Sequence, residues 1–259
     1  MTGPQPLLSV ERLSISFDGV RALQDVALTI PHRQIAGLIG PNGSGKTTLF
    51  NCVSGYYRSS GGRILFDGRD ITQSRPHTVA RMGAGRTFQT PNLFAEMTVR
   101  ENLMLAVENK ARNGSTLRGL LPAHDRADAA RFVRELLNRL GLDSYADVMP
   151  VELPVGIAKL GDLGRALATR PKLLLLDEPA VGLNDNERQK LIGLLADLNT
   201  ADGLTMLIVD HNMNFVTSLC TNITVLASGC VIGRGPPAVI RSDPAVIQAY
   251  LGEEAHAGA

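Results

Sequence analysis

The chain has 259 residues, with 26 Lys plus Arg against 25 Asp plus Glu and a formal net charge of +1. At 44% hydrophobic and 20% charged it is too apolar for a disordered chain, and its near-neutral balance disfavours wholesale binding of nucleic acid. Cys52, Cys220 and Cys230 are too few and too widely spaced for a disulfide framework or a zinc site, no run approaches the ~20 apolar residues that cross a bilayer, and Met1–Val10 is expected to carry no signal peptide.

In chain order, Leu7–Phe17 and Ala27–Ile30 alternate apolar and polar residues, which predicts half-buried antiparallel strands. The apolar run Ile35–Ile39 leads into the glycine cluster Gly40–Gly45, and Lys46–Val53 reads as a helix. Asn109–His124 carries Gly, Pro, Asn and Ser and reads as a loop-rich stretch. Ala129–Leu140 sets Phe132, Val133, Leu136, Leu137 and Leu140 on one helical stripe, which Gly141 stops. Leu173–Leu176 and Thr205–Val209 are continuous apolar runs, the pattern of parallel strands covered on both faces. A helix over about Glu187–Leu198 separates them, and Ile223–Ala227 with Cys230–Gly233, joined at Ser228-Gly229, predicts a closing hairpin.

Gly40-Pro41-Asn42-Gly43-Ser44-Gly45-Lys46-Thr47 fits G-x-x-x-x-G-K-[ST] between a strand and a helix, the context a phosphate-binding P-loop needs. Glycines let backbone N–H groups turn toward phosphate oxygens, and the helix that follows presents its positive end to the same anion. Lys46 is then the point charge for the β- and γ-phosphates, Thr47 a Mg²⁺ ligand, and Thr48 a further nucleotide contact. Leu173–Leu176 delivers Asp177 and Glu178 at a strand's C-terminal end, where open α/β sheets bind ligands. Asp177 is expected to hold Mg²⁺ and Glu178 to orient or deprotonate the attacking water. His211 ends the other apolar strand at the same sheet end as Asp177, either as a plain polar terminus or within reach of the γ-phosphate, and Gln89 follows Arg86-Thr87-Phe88, where it can ligate Mg²⁺ or hold the attacking water. The expected fold is α/β, one domain over 1–252: a P-loop NTPase (RecA-like) core together with an antiparallel β subdomain takes about 1–91 and 158–235, an inserted helical subdomain takes about 92–157, and a C-terminal segment runs over 236–259.

Five elements in order carry a resemblance over almost the whole chain: the P-loop at 40–47, Thr87-Phe88-Gln89, Leu153-Pro154-Val155-Gly156-Ile157, Leu173–Glu178 and His211. Together they resemble the ATP-binding subunit of an ABC transporter. The resemblance implies Gln89 as the Q-loop glutamine and metal ligand, His211 as the switch histidine, Phe17 as the aromatic that stacks on adenine, and Pro154, Val155 and Gly156 as contacts to nucleotide bound by a partner subunit. The stretch Arg86–Phe94 with Met97–Asn102, the segment Asp177–Asn184 and the ending Ser242–Gly252 are similar to the importers of branched-chain amino acids and amides. Lipid exporters of the lipopolysaccharide pathway share many of these features, and soluble ABC ATPases or a regulatory nucleotide binder are further alternatives. The resemblance implies ATP and Mg²⁺, a second ATP-binding subunit, transmembrane permease subunits, a solute-binding protein, no nucleic acid, and a peripheral place on the cytoplasmic face of the membrane. One motif departs: where the family has Leu-Ser-Gly-Gly-Gln, this chain has Leu153-Pro154-Val155-Gly156-Ile157 and lacks the serine hydroxyl and the glutamine.

Overall fold

The protein is described by a computed structural model covering residues 5–111 and 123–257. The strands are β1 (Leu8–Phe17), β2 (Val20–Ile30), β3 (Ile35–Ile39), β4 (Gly61–Phe66), β5 (Arg69–Asp70), β6 (Ala84–Arg86), β7 (Leu173–Asp177), β8 (Thr205–Val209), β9 (Asn222–Ala227) and β10 (Cys230–Gly235). The helices are α1 (Lys46–Val53), α2 (Pro76–Arg81), α3 (Val99–Ala111), α4 (Ala123–Arg139), α5 (Val155–Ala168), α6 (Asp185–Thr200), α7 (Met213–Leu219), α8 (Pro237–Ser242) and α9 (Pro244–Ala257).

Two sheets result. One is antiparallel in the order β2-β1-β4-β5; the other runs β10-β9-β3-β8-β7-β6. In the second, β9, β3, β8, β7 and β6 are parallel, and β10 closes it as an antiparallel edge. The parallel strands explain their own sequences. Leu173 and Leu175 of β7 enter one apolar core and Leu174 and Leu176 the other; Met206 and Ile208 of β8 alternate with Leu207 and Val209 in the same way. Successive side chains point to opposite faces, and both faces are covered, so every position from Leu173 to Leu176 and from Met206 to Val209 is apolar.

The second strand corrects an expectation, because it runs from Val20 rather than from Ala27. Its inward residues Leu23 and Val26 are three apart, and Asp25 between them has φ +46°. Register shifts interrupt the pairing of β1 with β2 from Val10 to Ser16. A bulge inserts a residue and breaks the period of two, so alternation alone shows only the last part of the strand. The expected loop Asn109–His124 is likewise shorter at both ends, since α3 extends to Ala111 and α4 begins at Ala123; residues 112–122 lie outside the described residues. Helix α3 has no counterpart among the expected elements. It buries Val99 and Leu103 one turn apart, with Met104, Ala106 and Val107 partly covered, and packs against α4 and α5.

Register sets the height of the site. Asp177 pairs with Val209, and Val209 pairs with Leu38. The segments that follow β3, β7 and β8 therefore leave the sheet at one edge and at one level, the usual ligand edge of an open parallel sheet.

Candidate nucleotide site

The loop after β3 is held open by backbone geometry. Gly40, Gly43 and Gly45 have φ of +148°, +73° and +102°, conformations that favour residues without a Cβ. A Cβ on Gly40 would stand 2.0 Å from the carbonyl oxygen of Leu226, and one on Gly45 would stand 2.7 Å from that of Ala22, whereas one on Gly43 would meet nothing. Gly40 and Gly45 are thus pressed against the strands, and Gly43 faces open space. Lys46 is buried and its Nζ donates to the carbonyls of Gly40 (2.6 Å) and Pro41 (2.7 Å), so the cation lies under the loop. No side chain caps α1, whose first turn contains Lys46, Thr47 and Thr48. Ser44 Oγ is buried without a hydrogen-bond partner. A buried hydroxyl needs a partner, and uncapped N–H groups, a lysine and a hydroxyl together form a donor set that fits phosphate.

These contacts separate the glycines by experiment. Gly40→Ala is expected to destabilise the protein by about 1–3 kcal/mol through overpacking, read as a lower denaturant midpoint. Gly43→Ala is expected to cost only the strain of a left-handed residue, about 1–2 kcal/mol, and to weaken nucleotide binding by more than its stability loss explains.

At the end of β7 the two carboxylates occupy different settings. Asp177 is almost buried, with its oxygen Oδ2 accepting from Arg86 Nη2 at 3.3 Å. Burial pushes its carboxyl above the ordinary value; Arg86 opposes this and Glu178 adds to it. Glu178 has φ +47°, which turns it out of the strand while its N–H still donates to Val209 O at 2.7 Å. Three side chains converge there: Gln89 Nε2 donates to Glu178 Oε2 at 2.7 Å, and His211 Nδ1 stands 3.6 Å from Glu178 Oε1. From α5, Lys159 Nζ donates to the Glu178 carbonyl at 3.0 Å.

Four charged residues were not assigned roles by the sequence reading. Arg86, three residues before Gln89, puts its guanidinium over Phe50, Tyr56 and Phe88 at 4.6, 5.0 and 4.9 Å and donates to Asn51 Oδ1 and Ser54 Oγ. Asp210, fully buried, accepts from the backbone of Asn212 (2.8 Å) and Ala180 (3.3 Å) and so ties the segment after β7 to the end of β8. Burial pushes its carboxyl up and those two N–H groups hold it down. Asp162 and Lys159 both lie on α5. None of the four stands at a position of the phosphate-binding or carboxylate motifs, so only the packed structure reveals them.

The other expected residues lie farther apart. Phe17 ends β1, 42% exposed, and meets Tyr57 edge-on with ring centres 5.2 Å apart. Pro154 caps α5, with no side chain bonded to the helix's first N–H groups, and Val155 is 62% exposed. A Cβ on Gly156 would stand 3.0 Å from Glu187 Oε1 and 3.2 Å from Leu183, so this glycine also serves close packing within the subunit. Asn184 forms a capping box with Glu187: its side chain accepts from Glu187 N (3.0 Å) and its N–H donates to Glu187 Oε2 (2.9 Å).

The loop, helix end and carboxylate edge define a P-loop nucleotide-binding ATPase. A family model for ABC transporters matches residues 23–181, and one for the branched-chain amino acid ATP-binding cassette transporter matches residues 230–256. The chain is 39% identical over 253 residues to the high-affinity branched-chain amino acid transport ATP-binding protein BraF of Pseudomonas aeruginosa and 41% identical to LivG of Salmonella typhimurium, covering 96% of this chain and 99% of each relative. The ADP conformation of MJ1267, an ATP-binding cassette of an ABC transporter, superimposes with a TM-score of 0.83 at 30% identity, over 96% of this chain and all of that one. The chain belongs to the ATP-binding subunits of the ABC transporter family, and it is an ATPase coupled to transport.

Proposed function

We propose that this subunit powers the import of branched-chain amino acids or related amides, and that it does so as one half of an ATP sandwich. The observation that carries the reading is the meeting of Gln89, Glu178 and His211 beside the P-loop edge, in a chain about 40% identical to transport ATP-binding proteins over nearly its whole length. The lipid-export alternative has no comparable observation.

In this reading Gly40–Lys46 wraps the phosphates of ATP, with Ser44 Oγ and the first N–H groups of α1, at Thr47 and Thr48, as donors. Phe17, exposed at the end of β1, stacks on adenine. Thr47, Asp177 and Gln89 offer oxygen ligands that suit Mg²⁺, which keeps several waters and uses few carboxylates; when bound, the ion neutralises charge on the phosphates. Glu178 takes the proton of the attacking water, and Gln89 and His211 hold its carboxylate and the γ-phosphate in line. The partner's ATP meets Pro154, Val155 and Gly156, where backbone N–H groups and the helix dipole replace the missing hydroxyl. Permease subunits and a solute-binding protein complete the assembly, and the ATPase sits peripherally on the cytoplasmic face of the membrane. Among the described residues no helix is long and apolar enough to cross a membrane, in keeping with spanning by other chains.

Reconstitution with permeases and a solute-binding protein tests the substrate: ATP-driven uptake of radiolabelled leucine is expected, and uptake of none of the branched-chain amino acids or their amides would refute it. The sandwich has its own test in Val155→Asp. An acidic residue in the first turn favours helix α5, and Val155 is exposed, so the fold and ATP binding by the variant's own P-loop are expected to persist. The new charge would face the partner's γ-phosphate, so ATP-driven dimerisation and turnover are expected to fall at least tenfold, about 1.4 kcal/mol. Full activity in this variant would remove the signature segment from the ATP site.

A further inference from the structure

We propose that Asp162 is a positioning residue that fastens the Gln89 segment to α5, so that segment and helix turn as one body about the Thr87–Phe88 linkage. The proposal rests on the ATPase reading above and adds a residue to it.

The hydrogen bonds change sides at one peptide. Thr87 belongs to the sheet: its N–H donates to Leu175 O at 2.9 Å and its Oγ1 accepts from Asp177 N at 3.4 Å. Phe88, the next residue, belongs to the helix: its N–H donates to Asp162 Oδ2 at 3.1 Å. The other carboxylate oxygen of Asp162 accepts from Arg165 Nε and Nη2 at 3.3 and 3.0 Å, one turn along α5. Asp162 is 1% exposed. A buried carboxylate is costly unless it is paired and hydrogen-bonded; here Arg165 supplies the charge and Phe88 the remaining donor.

Residues beyond Gln89 are fixed to the same body. A Cβ on Gly161 would stand 3.0 Å from Leu93, so the bare backbone of α5 lets the segment lie against it. Asn102 on α3, fully buried, then accepts from Phe94 N and donates to the carbonyls of Phe94, Met97 and Thr98. Gln89 is thus carried on the helical side while its amide bonds Glu178 on the sheet side. A cavity of about 460 Å³ opens at this joint, lined by Phe88, Ile157, Leu160, Asp162, Leu183 and Leu194 among others. Close-packed interfaces resist rotation, and the cavity beside the linkage separates much of α5 from α6, where it leaves room for a shift. Any displacement of Gln89 at the nucleotide is therefore delivered through Asp162 to the helix whose first turn faces the partner.

The test is ATP turnover by the full-length subunit carrying Asp162→Ala, Asp162→Asn, Gln89→Ala, and Asp162→Ala with Gln89→Ala. Asp162→Ala is expected to lower kcat about tenfold, the size of one charge-assisted hydrogen bond, with KM for ATP unchanged and faster hydrogen exchange at the Phe88 amide. Asp162→Asn is expected to retain most of the rate, because its single amide oxygen can take the place of Oδ2 and accept from Phe88, while its NH2 gives up the pairing with Arg165. Residues that act as a unit give non-additive losses, so Asp162→Ala is expected to cost nothing further once Gln89 is Ala. Losses that multiply, a raised KM, or an Asn variant as slow as the Ala variant would overturn the proposal while leaving the ATPase reading intact. Wild-type turnover in Gln89→Ala alone would overturn both the proposal and the role given to Gln89, since there would be no Gln89 function for Asp162 to act through. Should Asp162→Ala fail to fold with Arg165 left unpaired, Asp162→Ala with Arg165→Met removes the stranded charge and is judged by the same outcomes.

Discussion

Glu178→Gln is expected to lower ATP turnover by about 10³-fold, roughly 4 kcal/mol of barrier, while leaving ATP binding in place. The amide has the size of the carboxylate and keeps one oxygen able to accept from Gln89, which now donates to Glu178 Oε2 at 2.7 Å. The backbone at 178 holds a positive φ and bonds Val209 O, and neither feature depends on the side chain's charge. What is lost is the group that takes a proton. Binding and closure then proceed without the step that reopens the pair, so ATP is expected to trap a dimer, visible by size-exclusion chromatography. Phosphate release in a single-turnover assay checks the rate. A variant that turns over like the wild type would show that another group deprotonates the water.

Lys46→Ala is expected to weaken ATP binding at least 100-fold, about 2.7 kcal/mol, and to abolish turnover. Two losses combine. The ammonium that would face the β- and γ-phosphates is gone, and so is the clasp from Nζ to the carbonyls of Gly40 and Pro41. Without the clasp those carbonyls stay near the phosphates with nothing to offset their negative ends. Lys46→Arg is not expected to rescue binding, because a planar fork cannot follow the path of a slender ammonium beneath a tight loop. Isothermal titration with ATP reads the result directly, and near-normal affinity would end the P-loop assignment.

The parts of the protein most legible in its sequence are those where one rule acts alone. Helix Lys46–Val53 and strand Thr205–Val209 fall where expected, because a glycine loop opens the first and an unbroken apolar run marks the second. The convergence of Gln89, Glu178 and His211 follows from residues each placed at a strand end or just past one. Other parts depend on compromise. The first half of β2 is hidden by the bulge at Asp25. Helix α3 carries the polar Asn102 on its buried side, where a stripe reading expects an apolar residue. Arg86 and Asp162 are charges in buried places, and their partners at Asp177 and Phe88 come from segments 91 and 74 residues away. Gly156 is expected from the motif as a contact to a partner's nucleotide, whereas its tight contacts with Glu187 and Leu183 of the same subunit show only in the packed structure.

The clamp on the phosphate loop has a consequence for biosynthesis. Gly229 N–H donates to Ser44 O, Gln24 N–H donates to Gly229 O, and Leu226 O fills the space where Gly40 would carry a Cβ. Residues 40–47 leave the ribosome early, and the hairpin that shapes them follows long after. Contacts this remote in sequence form late and slowly, so a nascent chain holds every phosphate-binding residue before it holds their arrangement. Ligands stabilise only the state they bind. ATP is therefore expected to protect the subunit from limited proteolysis only when β9 and β10 are present, and to leave a chain ending before Asn222 as susceptible as without ATP.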